Sequence, residues 1–239
     1  GIVAKHLKSS GATVYFTTIL GNDSLKDFVL SEMNKSKIKI NAIIDNTRPT
    51  TNKNTIISNG YKLLKIDKFD NHPISEKILN KIKNSIIKQK TDAIIFSDFR
   101  HGIFNKTSIP ILTSSIKKGI FKVADSQVAT RWGNITDFKN FDLLTPNEKE
   151  ARFSLADQDS SISDLTRRLA IETKPSNLIL KLGERGIFSS GKKYVSGFAI
   201  PTFANKVIDA VGAGDALLAY ATLSMLATKS VFIASILGS

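Results

Sequence analysis

Short apolar runs alternate with amphipathic segments along most of the chain. Runs rich in β-branched and aromatic residues predict strands at 12–20, 93–97, 121–125, 141–145 and 177–182. Apolar residues at helical spacing predict helices at about 24–35, 74–90, 106–118, 147–156 and 161–173. Strands that alternate with helices favour an α/β fold, in which a parallel sheet is covered by helices on both faces. Such sheets bind ligands beyond the carboxyl ends of their strands.

The segment from Ile38 to Asp67 interrupts this alternation. It carries two or three β-like runs joined by polar turns and no helical pattern, which predicts a small antiparallel flap. A flap of this kind could close over a binding site. A plain extension of the sheet edge explains the same pattern equally well, so both interpretations stay open.

Composition and charge narrow the classes of function. The chain has 239 residues and no cysteine, which excludes disulfides, thiolate catalysis and zinc–thiolate sites, and its three histidines form no ligand-spaced pair. The formal net charge of +13 raises the question of nucleic-acid binding. The lysines of 77–90, however, alternate with apolar positions, as on the solvated face of an amphipathic helix. Since no basic patch interleaved with aromatic residues occurs, we expect no nucleic-acid partner.

Membrane and targeting signals are also missing from the sequence. The longest apolar stretch, 216–226, contains polar residues and is shorter than the roughly 20 residues that span a bilayer. No signal-peptide pattern opens the chain. We therefore expect a cytoplasmic protein that needs no membrane. The chain opens on a helix-like segment and stops in an apolar one, so we interpret 1–239 as a single domain that lacks both termini.

The stretch VIDAVGAGDALLAY, residues 207–220, places glycines and a carboxylate directly before an apolar helical pattern. Gly212 and Gly214 allow a tight turn, and the unpaired N–H groups of the helix that follows would bind an anion. Asp215, kept ionised by the helix dipole, could accept a proton from a hydroxyl held beside a phosphate. Phosphoryl transfer to an alcohol needs these two features. A carboxylate that only stabilises the helix start is an equally good explanation.

A second motif, LLTPNEKEAR, covers residues 143–152. Thr145 as N-cap, Pro146 at the first helical position and Glu148 in a capping box would account for a helix start there. Capping leaves Asn147 and Glu150 unexplained, one turn apart on one face. Their oxygens could hold Mg²⁺ against phosphates, directly or through water. Ordinary surface polarity is the alternative.

A third motif, LKLGERGIF at 180–188, has Gly183 and Gly186 on either side of a turn after a predicted strand. A nucleotide phosphate could lie along this turn. A plain strand–turn–strand unit is equally compatible with the pattern, and the glycine spacing differs from that of a dinucleotide fingerprint.

In this order, the three motifs resemble those of the PfkB (ribokinase-like) family of carbohydrate kinases, with DAVGAGD at 209–215 matching the family's D-[T/S]-x-G-A-G-D. The likeness covers nearly the whole chain and extends to 21–28, 48–67, 94–104 and 123–127. It implies a three-layer α/β/α ribokinase-like fold with a mainly parallel central sheet and a small β lid inserted at about 38–67. It also implies transfer of the γ-phosphate of ATP to a sugar. Within the family, the heptose-phosphate kinase branch is the most similar.

The resemblance also implies a role for individual residues. Asp215 would be the catalytic base, and Gly212, Ala213 and Gly214 would form the anion hole. The implied nucleotide-binding residues are Lys181, Gly183, Gly186, Asn147 and Asp209. Asn147 and Glu150 would organise Mg²⁺, and the sugar would contact Lys53, Asp98 and Asp215. The family likeness further allows a monovalent cation and a homodimer formed through the lid.

The sequence departs from the heptose-phosphate branch at three basic positions. That branch carries arginine near Thr55 and lysine near His101 and near Gln127, and these charges would hold a sugar phosphate. Lys53 is retained, whereas Lys181 stands where relatives often carry threonine. A kinase for another sugar or nucleoside, of the ribokinase or fructokinase type, and a non-catalytic nucleotide- or sugar-binding relative therefore remain as alternatives.

Overall fold

The computed structural model describes residues 1–127, 135–192, 194–203 and 211–239. The helices, in chain order, are α1 (Ile2–Ser9), α2 (Ser24–Lys35), α3 (Glu76–Lys88), α4 (Ser108–Ser114), α5 (Glu148–Leu155), α6 (Ile162–Thr173), α7 (Ala213–Thr228) and α8 (Val231–Gly238). The strands are β1 (Tyr15–Leu20), β2 (Lys39–Ile44), β3 (Asn52–Ser58), β4 (Tyr61–Lys68), β5 (Ala93–Asp98), β6 (Phe121–Ser126), β7 (Leu143–Leu144), β8 (Asn177–Lys181), β9 (Ile187–Gly191) and β10 (Tyr194–Ile200).

The main sheet has six strands in the order β10-β9-β8-β7-β6-β5. Strands β5 to β8 run parallel, and β9 and β10 follow as antiparallel neighbours. The predicted α/β fold with a mainly parallel sheet is confirmed. The helix predicted at 106–118 shortens to α4, because the hydroxyls of Ser114 and Ser115 both bond to the carbonyl of Ile111 and compete with the helical pattern.

Successive residues of the central strands point to opposite faces of the sheet, as the strand period requires. One face of the sheet carries Ala124, Leu144, Leu178 and Leu180, which pack against α3 to α6. The opposite face carries Val123, Leu143 and Ile179, which pack against α1, α7 and α8. The result is the three-layer arrangement that the family likeness implies.

Strands β1 and β2 form a separate parallel pair, with Tyr15 opposite Lys39. A small core of Ala4, Val14, Met33 and Ile38 holds this pair against α1 and α2. A cavity of about 1020 Å³ lies between β1 and β5. Its walls are residues of both strands, and Asp98 is among them.

Strands β3 and β4 form an antiparallel hairpin, and nearly all of its residues are exposed. The prediction of one antiparallel unit over 38–67 is wrong for its first part, because β2 pairs in parallel with β1. The helix α2 connects these two strands, and a helical crossover returns the chain in the same direction. The antiparallel part is therefore 52–68.

The base of the hairpin is anchored to the segment after β5. Arg48 Nε lies 2.9 Å from Asp45 Oδ2, and both side chains are buried. The same guanidinium donates to the carbonyl oxygens of His101 and His72 at 3.2 and 3.4 Å. Gly102 has a φ of +84°, and a Cβ there would lie 1.9 Å from His72 O, so only glycine fits.

The apolar helices α7 and α8 pack against each other at the end of the chain, where a Cβ on Gly238 would lie 3.3 Å from Leu217 Cγ. In the described part of the chain, no helix combines the length and apolar character that crossing a bilayer requires.

Candidate active site

Charged side chains collect where the parallel strands end. Asp98 closes β5, Asp125 lies near the end of β6, Lys181 closes β8, and Asp215 lies in the first turn of α7. The carboxyl ends of parallel strands share one edge of the sheet, which is the usual position of ligand sites in α/β folds. Asn147, at the start of α5, joins this edge through a bridge to Lys181.

Among the described residues, few atoms approach Gly212 at the start of α7. Gly212 is the N-cap with a φ of +87°, and a Cβ there would approach only Ile2 Cγ2, at 3.7 Å. Val211 is 72% exposed, and no side-chain hydrogen bond caps the helix in the described structure. The N–H groups of the first turn are therefore placed to bind an anion. Asp209, and Ala210 beside it, lie outside the described residues.

The Asp215 carboxyl is buried, with 8% of the residue exposed. Burial raises its pKa above the ordinary value and nearby Asp125 raises it further, whereas Lys181 and His6 lower it. The sequence predicted only the stabilising helix dipole, so burial is an opposing effect that the structure adds. A raised pKa makes the ionised carboxylate a stronger proton acceptor, as long as the group stays ionised at the working pH.

Lys181 connects the sheet to this helix. Its Nζ donates to Asp125 Oδ1 at 2.9 Å and to Oδ2 at 3.1 Å, and both side chains are mostly buried. A Cβ on Gly214 would lie 3.3 Å from the same Nζ. The ammonium therefore lies against the first turn of α7, one residue from Asp215.

Asp98, predicted to bind the sugar, already has several partners. Its Oδ1 accepts from Arg100 N at 2.7 Å, and its Oδ2 accepts from Ser126 Oγ and faces Arg100 Nε, both at 3.1 Å. Burial raises its pKa, and the charge of Arg100 opposes that rise. Asp98 thus ties β5 to β6 and holds Arg100, whose φ is +62°. These contacts leave room for roughly one further hydrogen bond to the carboxylate, and the sugar-binding role of Asp98 stays a prediction.

Lys53 of the hairpin lies close to the segment that follows Asp98. Its Nζ is 5.6 Å from the ring centroid of Phe99. Burial, and then the charge of Lys53, lower the pKa of His101, whose Nδ1 lies 3.4 Å from Thr51 Oγ1. Phe99, His101 and Thr51 line the 1020 Å³ cavity, whereas Asp215 and Lys181 do not. Asp98 therefore lines the cavity, and Lys53 lies beside its wall at Phe99.

Asn147 and Glu150 cap α5. Asn147 Oδ1 accepts from Glu150 N at 2.8 Å, and Glu150 Oε2 accepts from Asn147 N at 2.7 Å, which is a capping box. The predicted cap at Thr145, with Pro146 as first helical residue and Glu148 in the box, is wrong. The helix starts later because Pro146 O still accepts from Lys181 N at 2.9 Å, which extends the sheet pairing.

Glu148 has a different role from the predicted one. It accepts from Arg152 Nε at 2.9 Å and also pairs with Arg185. The capping box that was predicted to include Glu148 is formed by Asn147 and Glu150. These are the two residues that were predicted to organise Mg²⁺.

A resident metal cage is not found in the described part of the chain, where no group of three or more His, Asp or Glu residues could hold an ion. Asn147 and Glu150 each commit one oxygen to the cap. Mg²⁺ keeps several waters and is commonly held by one or two carboxylates together with substrate phosphates. These two residues therefore fit a contact to phosphate-bound Mg²⁺ through water, and their role stays a prediction.

The two glycines of the third motif differ in their surroundings. A Cβ on Gly183 would meet nothing within 4 Å, so a ligand could approach its backbone. A Cβ on Gly186 would lie 2.2 Å from Ile200 O and 2.7 Å from Thr202 N. Position 186 therefore has to be glycine, because the backbone of residues 200–202 passes directly over it. This structural reason is independent of any nucleotide.

Two members of the charged cluster were not predicted. Asp125 ends a strand predicted at 121–125, so its position at the carboxyl edge of the sheet was a usable signal. Arg100 is buried in a left-handed backbone conformation that no local pattern indicated.

The profile of the family described as pfkB family carbohydrate kinase matches residues 3–238. The chain belongs to the pfkB family. It therefore carries a carbohydrate kinase domain, and the family assignment made from the three motifs is confirmed.

Individual similar proteins show how much of their length this chain covers and which fold it shares with them. The bifunctional protein HldE of Sulfurimonas denitrificans is 28% identical over 243 residues, which cover 97% of this chain and 48% of that protein. The chain spans about half the length of the curated relatives it matches. Phosphofructokinase-2 of Escherichia coli in complex with potassium superposes with a TM-score of 0.80 at 16% identity, covering 99% of this chain and 77% of that one. Ribokinase of Thermotoga maritima gives a TM-score of 0.73 at 21% identity, with 99% and 75% covered. These structures confirm the ribokinase-like fold.

Proposed function

We propose that the chain transfers the γ-phosphate of ATP to a hydroxyl of a sugar or sugar phosphate. One observation carries this proposal: the buried carboxyl of Asp215 lies in the first turn of α7, directly behind the turn at Gly212. An anion cradle and a proton acceptor thus lie in the same turn, as transfer to an alcohol requires.

Asp215 and the backbone N–H groups of this turn have different roles in the reaction. The acceptor oxygen forms a bond to the γ-phosphorus while the bond from that phosphorus to the β,γ-bridging oxygen breaks, and ADP leaves. Asp215 takes the hydroxyl proton. The N–H groups at Gly212, Ala213 and Gly214 hold the charge that develops on the phosphoryl oxygens. Holding both reactants in line is itself a large part of the catalysis.

The nucleotide would extend from this turn towards the end of β8. Lys181 supplies positive charge there, and the open backbone at Gly183 gives room for a phosphate. Mg²⁺, when bound with ATP, shields the phosphate charges, and waters oriented by Asn147 and Glu150 would complete its shell. Asp209 keeps its predicted nucleotide-binding role. A potassium ion is present in one similar structure, which supports a monovalent cation as a further cofactor.

A heptose phosphate is the acceptor that the relatives favour, because the HldE proteins cover nearly all of this chain. Lys53, beside the cavity wall at Phe99, is the retained cation that could contact its phosphate. His101 does not replace the lysine of that branch, because burial lowers its pKa and keeps it neutral. That neutrality favours a sugar without phosphate as the second candidate.

The hairpin β3–β4 is the proposed lid. Its exposed apolar side chains include Tyr61 at 76% and Leu63 at 64% exposure, which supports pairing with a second copy. Sedimentation velocity of the chain and of a Leu63→Lys variant would test the homodimer: a variant with the mass of the parent protein would contradict it.

An acceptor panel tests the function. The full chain with ATP and Mg²⁺ would be given a heptose phosphate, the free heptose, fructose, ribose and adenosine, and ADP release would be measured. We expect the highest kcat/KM with the heptose phosphate. A higher value for a free sugar would transfer the assignment to the second candidate. Release at the acceptor-free rate with every compound would contradict the kinase proposal.

A further inference from the structure

The pair of Lys181 and Asp125 lies between two buried carboxyls. Asp125 is 5% exposed, and both of its oxygens accept from the same ammonium. Its negative charge raises the pKa of Asp98 on one side and that of Asp215 on the other. Lys181, Asp125 and Asp215 therefore form one charged group at the sheet edge, and Asp98, which is opposite Ser126 on the neighbouring strand β5, adds a further charge.

Several elements present charged groups to Asp215. Asp125 faces it from β6, Lys181 from β8 and His6 from α1. Of these, Lys181 is fixed by two hydrogen bonds and reaches the first turn of α7. It is the cation whose position the structure determines most tightly.

We propose that Lys181 is a positioning residue of the transfer site: held by Asp125 against the first turn of α7, its ammonium balances the charge of Asp125 so that Asp215 can accept the acceptor's proton. This inference rests on the proposed function, because it concerns the residue proposed as the base. Besides the nucleotide contact proposed above, it gives Lys181 an electrostatic task in which the ammonium does not itself touch the transferred proton.

The geometry fixes the direction of each effect. Without Lys181, the charge of Asp125 faces Asp215 uncompensated, so the protonated form of Asp215 is favoured. Without the charge of Asp125, Lys181 acts on Asp215 alone and favours its ionised form. A charge at close range shifts the pKa of a carboxyl by roughly 1–3 units. An ion pair that only held the fold together, too far from Asp215 to act on its charge, would lower stability when either partner is lost but would produce no opposite shifts.

The test compares Lys181→Met, Asp125→Asn, the double variant and Lys181→Arg, with the exposed Lys118→Met as a control that removes the same charge elsewhere. Carboxyl-carbon NMR of the substrate-free protein would follow the titration of Asp215, identified by its loss in Asp215→Asn. The acid limb of kcat/KM would be measured in parallel.

We expect the Asp215 midpoint to rise by roughly one pH unit or more in Lys181→Met and to fall in Asp125→Asn. The double variant, Lys181→Arg and Lys118→Met should titrate near the parent protein. If Lys181→Met does not fold, the test rests on two results: the Asp215 midpoint falls in Asp125→Asn, and it returns to the value of the parent protein in the double variant. Shifts of the same sign in the two single variants, or none in either, would overturn the proposal.

The two readouts separate this inference from the proposed function. A midpoint that moves as expected, with an acid limb that follows it, supports both. A midpoint that moves while the acid limb stays in place means that Asp215 is not the base, which overturns the proposed function and with it the positioning role.

Discussion

Replacing Gly186 by alanine should destabilise the fold. The new Cβ would lie 2.2 Å from Ile200 O and 2.7 Å from Pro201 C, all in backbone that cannot rotate away, and the φ of +84° adds strain. Strained backbone costs roughly 1–3 kcal/mol and overpacking a further 1–3, so we expect a loss of about 2–6 kcal/mol. That is a large share of the roughly 5–15 kcal/mol that stabilises a typical domain.

Gly183→Ala is the matched control, because its Cβ would meet nothing within 4 Å. A left-handed φ alone costs roughly 1–2 kcal/mol. Urea unfolding followed by circular dichroism should therefore show a much lower midpoint for Gly186→Ala than for Gly183→Ala. Calorimetric titration with ATP should show the reverse order, with affinity lost mainly in Gly183→Ala. Equal midpoints, or affinity lost mainly in a folded Gly186→Ala protein, would refute the assignment of Gly186 to packing.

Three further predictions concern the helix cap and the hairpin base. Asn147→Ala should cost roughly 0.5–2 kcal/mol of stability, whereas Glu150→Gln should keep the cap and raise the Mg²⁺ concentration needed for half-maximal turnover. An unchanged Mg²⁺ titration would count against the metal role of Glu150. Asp45→Asn should cost about 3–5 kcal/mol at neutral pH, because Arg48 is left buried without its partner. Burial opposes ionisation of Asp45, but hydrogen bonds from Thr47 and Arg48 hold its pKa below the ordinary 3.8, so this stabilisation exists above pH 3.8 and is lost as the pH falls further. Urea midpoints measured across pH check it, and a difference between parent and variant that persists in acid would contradict it.

Much of the fold could be predicted from local pattern. The run from Ala93 to Asp98 and the amphipathic segment that became α3 carry strand and helix periods that tertiary packing reinforces. The parallel pairing of β2 could not be predicted from the period alone, because a strand pattern does not identify its neighbour. The pairing depends on the crossover through α2, which returns the chain in the same direction so that β2 lies parallel to β1.

The part of the site that lies within one turn of the chain could be predicted from the sequence. Gly212 and Asp215 belong to one motif, so their proximity follows from the sequence. The contact between Lys181 and Asp125 joins residues 56 positions apart, and only the sheet order brings their strands to the same edge. Capping was predicted at the wrong residue because the sheet pairing of Pro146 delays the start of α5.

Turnover by Asp215→Asn tests the central claim most directly. The substitution preserves the size of the side chain and the turn at Gly212 but removes the proton acceptor. With ATP and the best acceptor of the panel, we expect turnover to fall by roughly 10²–10⁴-fold while calorimetry shows ATP affinity close to that of the parent protein. Turnover near the parent rate would contradict the account.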